Sequence, residues 1–324
     1  MYARALIDDR VIGNTYRIES RIGAGSGGTV YKAWHDRLRK HVVIKELNTG
    51  LADSIETQRN EAEALKNVKS PYLPQVYDHI TENGRVLTVM EYIKGENFGN
   101  LLEQGHRFDM PEVVKWYIQL ATALEALHMQ NICHRDIKPA NIMLTPGGDV
   151  CLIDFNAAFV KGNKARLLSR SLGYASPEQY EIYERYKDAL STRNKKQPAK
   201  AGGDDAYFAS GSETELSDSD CPRLQQLPES ISKQMTPPKP PQTKEAIDWK
   251  RSDIYSLGAT MYHILTGIRP KEMQAMPKQG RHSKGIAKII ERSTRPDPSE
   301  RYASMAELKN ALNRLPLSRP SARY

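Results

Sequence analysis

Eight residues near the N-terminus, Gly23-Ala24-Gly25-Ser26-Gly27-Gly28-Thr29-Val30, restrict the folds open to this 324-residue chain more than any other feature. They fit G-x-G-x-x-G-x-V, a string that dinucleotide-binding folds use in similar form. In those folds the glycines open a helix. Here Thr29, Val30 and Tyr31 continue as β-type residues, so the string reads as strand–turn–strand, a flap of backbone N–H groups suited to phosphates. Taken alone it is equally a plain glycine hairpin.

The segments that follow narrow the choice. Val42-Val43-Ile44-Lys45 puts one lysine at the end of an apolar strand that should pair with the flap. A buried lysine is costly unless an acid accompanies it. Glu61, on the next helical segment, is the natural partner. Farther on, His134-Arg135-Asp136-Ile137-Lys138-Pro139-Ala140-Asn141 is followed by Asp154-Phe155-Asn156, with Asp154 thirteen residues after Asn141. Phosphoryl transfer from a metal–nucleotide needs such a set. One carboxylate takes the hydroxyl proton, an amide and a second carboxylate hold Mg²⁺, and a lysine neutralises charge on the moving group.

Texture divides the rest. Tyr16–Ile22, Thr29–Trp34, Val42–Leu47, Gln75–Ile80 and Val86–Tyr92 read as strands, the last two flanking the turn signal Asn83-Gly84. Asp53-x-x-Glu56 opens a helix expected to reach about Val68, before Pro71. From residue 93 the pattern is helical. Asp109-x-x-Glu112 with Pro111 starts an amphipathic stretch through Leu127, and further helices are expected over Ile254–Leu265 and Ser304–Leu315. Lys195–Glu245 differs: its 51 residues include only seven of the large apolar types. Within it Ala201–Pro222 has six acids and no Lys or Arg, and Pro222–Pro241 has six prolines. Such a stretch buries too little apolar surface to offset its ordering entropy, so a disordered insert is expected.

Together these strings resemble the protein kinase family, of the Ser/Thr type that bacteria share with eukaryotes. The resemblance covers roughly residues 12–315 outside an insert at 181–248, leaving a tail at 316–324. It implies a two-lobed α+β fold: an N-lobe, about 12–92, with an antiparallel five-stranded sheet and one helix, and a mostly helical C-lobe, about 93–315. It implies ATP and Mg²⁺ (or Mn²⁺) as cofactors and protein Ser/Thr hydroxyls as substrates. On the family's pattern Lys45 binds the α- and β-phosphates and pairs with Glu61, Asp136 is the catalytic base, and Lys138 contacts the γ-phosphate. Asn141 and Asp154 hold the metals. Ile22, Gly23, Gly25 and Gly28 belong to the flap. Val30, Val43 and Met143 sandwich the base, Met90 is the gatekeeper, and the backbone of Glu91 and Ile93 faces adenine. Ser176-Pro177-Glu178 matches Ala-Pro-Glu, Asp253 matches the aspartate that braces the catalytic loop, and Arg301 matches the late arginine that pairs with Glu178. Lys138 two residues after Asp136 is the usual Ser/Thr signature. Ser171 is expected to line the substrate pocket, which leaves Ser169 as the candidate for autophosphorylation; Phe155 belongs to the metal-binding motif.

Two residues depart from the pattern. Asn156 replaces the glycine of Asp-Phe-Gly, which restricts the loop's flip and keeps a nucleotide-binding pseudokinase as the alternative; asparagine is among the least penalised residues at positive φ. Val43 replaces the more usual alanine and narrows the adenine pocket. A small-molecule phosphotransferase is the weaker rival, because Ser176-Pro177-Glu178, Asp253 and Arg301 build a peptide-docking platform that such enzymes generally lack.

Composition sets the outer limits. Hydrophobic residues are 39% and charged residues 27% of the chain, as in folded soluble proteins. No apolar run approaches the roughly 18–20 residues that span a bilayer, and the acids of MYARALIDDR argue against a secretory signal. Cys133, Cys151 and Cys221 form no Cys-x-x-Cys pair, so neither a disulfide framework nor a zinc site is expected and a reducing cytoplasm fits. The net charge is +8; outside Lys195–Glu245 there are 40 basic and 31 acidic residues, a balance of +9. That suits a solvated surface or attraction to acidic substrates, and no nucleic-acid-binding module accompanies it. In the insert Ser210, Ser212, Ser217 and Ser219 sit among acids as candidate autophosphorylation targets. Pro237-Pro238-Lys239-Pro240-Pro241 reads as a linker or a polyproline II ligand. Oligomeric state is not expressed in the sequence.

Overall fold

The computed structural model describes residues 10–25, 28–47, 63–82, 85–154, 159–160, 171–185, 247–270 and 284–316. Glu61, Phe155, Asn156, Ser169, the start of the expected helix at Asp53 and the insert over 195–245 lie outside them.

An antiparallel sheet forms the first part. Its strands are β1 (Val11–Ile12), β2 (Tyr16–Gly25), β3 (Gly28–His35), β4 (Lys40–Leu47), β5 (Val76–Glu82) and β6 (Arg85–Glu91), in the order β1-β2-β3-β4-β6-β5. The expectation of five strands is corrected to six. Gly13 and Asn14 take φ of 56° and 53°, the left-handed pair of a tight hairpin turn, and fold Ile12 back opposite Tyr16. Ile12 is fully buried there with Ile18, Ala33, Val42, Ile44, Leu87 and Val89, so the extra strand closes one edge of this core. Helix is seen at 63–66 and has ended before Val68, which is buried outside it.

A short strand β7 (Glu96–Asn97) leads into α1 (Phe98–Glu103) and α2 (Met110–Met129). Pro111 sits in the first turn of α2, and the Glu112 carboxylate accepts from the Asp109 N–H at 3.2 Å. Val113, Trp116, Tyr117, Leu120, Leu124 and Leu127 are buried at helical spacing, which makes α2 the axis of the second core. After it come β8 (Ile132–Cys133), β9 (Ile142–Leu144), β10 (Val150–Leu152) and β11 (Phe159–Val160). Strands β10, β9 and β7 form one small sheet, and β11 pairs with β8.

Residues 177–185 are helical. Then follow α3 (Trp249–Thr266), α4 (Lys284–Ser293) and α5 (Met305–Asn313). Helix α3 starts five residues ahead of Ile254 because the Asp248 carboxylate caps it, accepting from the N–H groups of Lys250 and Arg251. Ser304 is the cap of α5 rather than part of it. Ile254, Leu257, Met261, Ile289, Leu308 and Leu312 bury the inner faces of these helices in the same core as α2. Among the described residues no helix is long and apolar enough to cross a membrane.

Candidate active site

The loop between β8 and β9 is built on one buried carboxylate. Asp253, fully buried in α3, accepts from the N–H of His134 at 2.9 Å and of Arg135 at 2.8 Å, and from His128 Nε2 at 2.8 Å. Those bonds hold Arg135 at φ 65°, a left-handed conformation that a non-glycine residue keeps only when its surroundings dictate it. Gln179 donates to the Arg135 carbonyl at 2.7 Å, and Thr260 donates to the Ile137 carbonyl at 3.1 Å. Burial lowers the proton affinity of His134. As a neutral ring it accepts from the Asp136 N–H at 3.4 Å on Nδ1 and donates to the Ile153 carbonyl at 3.3 Å on Nε2.

Asp136 therefore emerges from a backbone fixed on both sides. Its Oδ2 accepts from Asn141 Nδ2 at 3.0 Å and faces Lys138 Nζ at 3.4 Å, while its Oδ1 accepts from Ser171 Oγ at 2.6 Å. Lys138 Nζ also donates to Ser171 Oγ at 3.1 Å. One carboxylate, one cation and one hydroxyl converge, the geometry of a base waiting for an alcohol.

Asp154 is the second carboxylate. The Ile153 N–H donates to the Asn141 carbonyl at 2.8 Å, which ties the two loops together. Asp154 takes φ 69°, and its Oδ1 lies 2.6 Å from Lys45 Nζ. Lys45 reaches it from β4, where it pairs in register with Val30 on β3 and Thr88 on β6. Asn141 also donates Nδ2 to the Asp136 carbonyl at 2.8 Å, so its amide nitrogen is committed and its side-chain oxygen is the atom left to face a ligand. An amide oxygen and a carboxylate are the hard donors that Mg²⁺ or Mn²⁺ takes, so these residues fit such an ion.

Farther along the chain the Glu178 carboxylate forms a two-pronged pair with Arg301 at 2.7 and 2.9 Å. Arg301 is 1% exposed, and its other N–H groups go to the carbonyls of Arg251, Arg295 and Pro296. Ser176, where alanine is the family's habit, shares a 2.8 Å hydroxyl–hydroxyl bond with Ser252 on α3. Cys133 lies with His128 and Asp253, but burial pushes its thiol up and the hydrogen bonds already given account for the other two.

A protein kinase domain model matches residues 16–191, more than half of the chain. The chain belongs to the protein kinase family. It is 31% identical over 176 residues to a probable serine/threonine-protein kinase of Clostridium acetobutylicum, a match covering 52% of this chain and 27% of that protein. A probable serine/threonine-protein kinase of Streptomyces coelicolor is 32% identical over 185 residues, covering 53% and 28%. The mouse serine/threonine-protein kinase Nek1 is 34% identical over 165 residues, covering 49% and 14%. The chain thus spans a minor part of the length of the relatives it matches.

The remaining family positions lie on β2, β3, β4, β6 and β9 and in the segment that follows β6. Gly23 pairs with Val30 and Gly25 with Gly28 across the hairpin of the flap. A Cβ on Gly23 would stand 3.6 Å from that of Val30. Val43 is opposite Met90, which is 9% exposed, and Ile22 is half exposed at 50%. The Glu91 N–H is taken by the Gln75 carbonyl at 2.9 Å, so an adenine contact at Glu91 would run through its carbonyl. Ile93 follows β6 outside any strand or helix, and Met143 lies on β9 opposite Cys151. Gln179, Thr260, His128 and the Tyr174–His263 pair had no signal in the sequence. Their roles come from which helix passes behind which loop.

Proposed function

We propose that this chain catalyses ATP-dependent transfer of the γ-phosphoryl group to protein Ser/Thr hydroxyls. The single observation that supports it best is the convergence on Asp136 of Lys138, Asn141 and a serine hydroxyl, with Lys45 meeting Asp154 alongside. In this reading Asp136 Oδ1 accepts the substrate hydroxyl's proton from the place that Ser171 Oγ occupies. Lys138, 3.4 Å from the same carboxylate, holds a positive charge where the phosphoryl group passes. Lys45 orients the phosphates from β4. Asn141 and Asp154 would hold Mg²⁺ or Mn²⁺, which supplies further charge neutralisation. The kinase domain is taken as 12–315, with 181–248 as an insert and 316–324 as a tail. A cytoplasmic location fits the buried free thiols of Cys133 and Cys151.

The test is incubation of purified protein with labelled ATP and Mg²⁺, beside Asp136→Ala, with phosphosites mapped by mass spectrometry. Phosphoserine or phosphothreonine in the wild type, at least about 10³-fold reduced in the variant, is expected. No transfer while a thermal shift still reports nucleotide binding would overturn the enzyme reading in favour of the pseudokinase that Asn156 suggests.

A further inference from the structure

Resting on the Ser/Thr kinase reading, we propose that the enzyme selects phosphoacceptor hydroxyls flanked by acidic residues, through a basic patch formed by Arg107 and Arg269 beside Tyr174 and His263. The segment that leads to the patch starts at the Asp136 carboxylate. Ser171 donates to Asp136, and Tyr174 is three residues farther along the same segment. That separation spans at most about 11 Å, the reach of roughly three extended peptide residues. The Tyr174 hydroxyl lies 2.6 Å from His263 Nδ1, which anchors the segment to the last turn of α3.

Two arginines flank that anchor. The helix ends at Gly267, whose N–H returns to the His263 carbonyl at 2.7 Å with φ 73°. The Arg107 guanidinium packs across this end: a Cβ on Gly267 would come within 2.8 Å of its Cζ. Arg269 follows two residues later. Both arginines are exposed, and among the described residues neither forms an ion pair, unlike the surface arginines Arg17, Arg292 and Arg295. Their proximity also shows in His263, whose pKa is pushed down to about 4 by burial first and then by Arg269 and Arg107. At neutral pH His263 is uncharged and the patch presents the two guanidinium groups alone. Cations at a helix C-terminus are favoured by its dipole, which explains their stability there but leaves their charge available to a ligand. A carboxylate in the chain flanking the phosphoacceptor meets that charge, and guanidinium suits it through paired N–H donors.

The chain itself contains a sequence of this composition. Ser210, Ser212, Ser217 and Ser219 sit among Glu213, Glu215, Asp218 and Asp220, without Lys or Arg. A synthetic peptide of residues 208–220 is therefore the probe, compared with one in which those four acids are replaced by their amides. Wild-type kcat/KM is expected to favour the acidic peptide by about tenfold, carried by KM, and an Arg107→Ala/Arg269→Ala variant to bring the ratio within about twofold. Arg37→Ala, an exposed arginine in the turn between β3 and β4, should leave the ratio as it was. Equal use of both peptides by the wild type, or an undiminished ratio in the double variant, overturns the proposal while leaving the kinase reading intact. Absence of transfer to either peptide and to the protein itself overturns that reading, and the proposal with it.

Discussion

A single carboxylate shapes the catalytic loop, and its replacement separates positioning from chemistry. Asp253 accepts from two successive backbone N–H groups and from His128. In Asp253→Asn the side chain keeps one acceptor oxygen and turns an NH₂ toward a buried N–H. One unsatisfied buried donor costs about 1–3 kcal/mol, and Arg135 at φ 65° then has a reason to relax. A displacement of about 1 Å at Asp136 lowers turnover by up to about 100-fold. Asp253→Asn is therefore expected to lower the melting temperature and to reduce kcat by at least about tenfold, with KM for ATP within about twofold. Unchanged kcat in the folded variant would show that the loop holds its form without the tether. The candidate residues Asp136, Lys138 and Asn141, which the fold brings together, stand out in the sequence because phosphoryl transfer restricts residue type at short spacing. Gln179 and Thr260 do not, since any helix facing the loop could supply a donor and only the packing decides which one does.

Among the elements, the five expected strands and the helices α2, α3 and α5 follow their periodicities, with ends moved by caps and turns. Helices α1 and α4, the helical stretch 177–185 and the short strands β7 to β11 were not expected from the sequence. The hairpin at Gly13-Asn14 adds β1, a two-residue strand too short to show a period. Asp248 lengthens α3 at its start through a cap that the apolar pattern does not contain. The join between the large sheet and the helical part depends on a comparable local detail. Gly95 takes φ 148° where the chain leaves β6 for β7, and a Cβ there would lie 2.1 Å from the Leu144 carbonyl oxygen. The strand β9 cannot retreat, because Met143 and Leu144 pair with Cys151 and Val150 on one side and with Asn97 and Glu96 on the other. Gly95→Ala is expected to cost at least about 2 kcal/mol in urea unfolding. It should also raise KM for ATP, since the segment leading into Gly95 carries Glu91 and Ile93. A stability change below about 0.5 kcal/mol would mean that the small sheet yields where its pairing says it should not.

At the scale of the whole molecule, described contacts join the segments on either side of 195–245. Ser176 bonds Ser252, Glu178 pairs with Arg301, and Gln179 reaches back to the catalytic loop. All three contacts tie Ser176 and the helical stretch that follows it to the body of the protein. The insert's 51 residues offer only seven large apolar side chains, too few to build much of a core. Shortening a flexible connection reduces its closure entropy slowly, about 0.6 kcal/mol per halving of length. Removal of 195–245, with 186–194 and 246 kept and a ten-residue Gly-Ser bridge inserted, should therefore shift unfolding free energy by less than about 1 kcal/mol. Turnover on an external acidic peptide should survive the deletion, because Asp136, Lys138, Arg107 and Arg269 all remain. Phosphate incorporated into the protein itself should fall if the serines of that stretch are its sites. A loss of several kcal/mol would instead place apolar residues such as Tyr207, Phe208 or Leu224 in a core that the flanking contacts do not require.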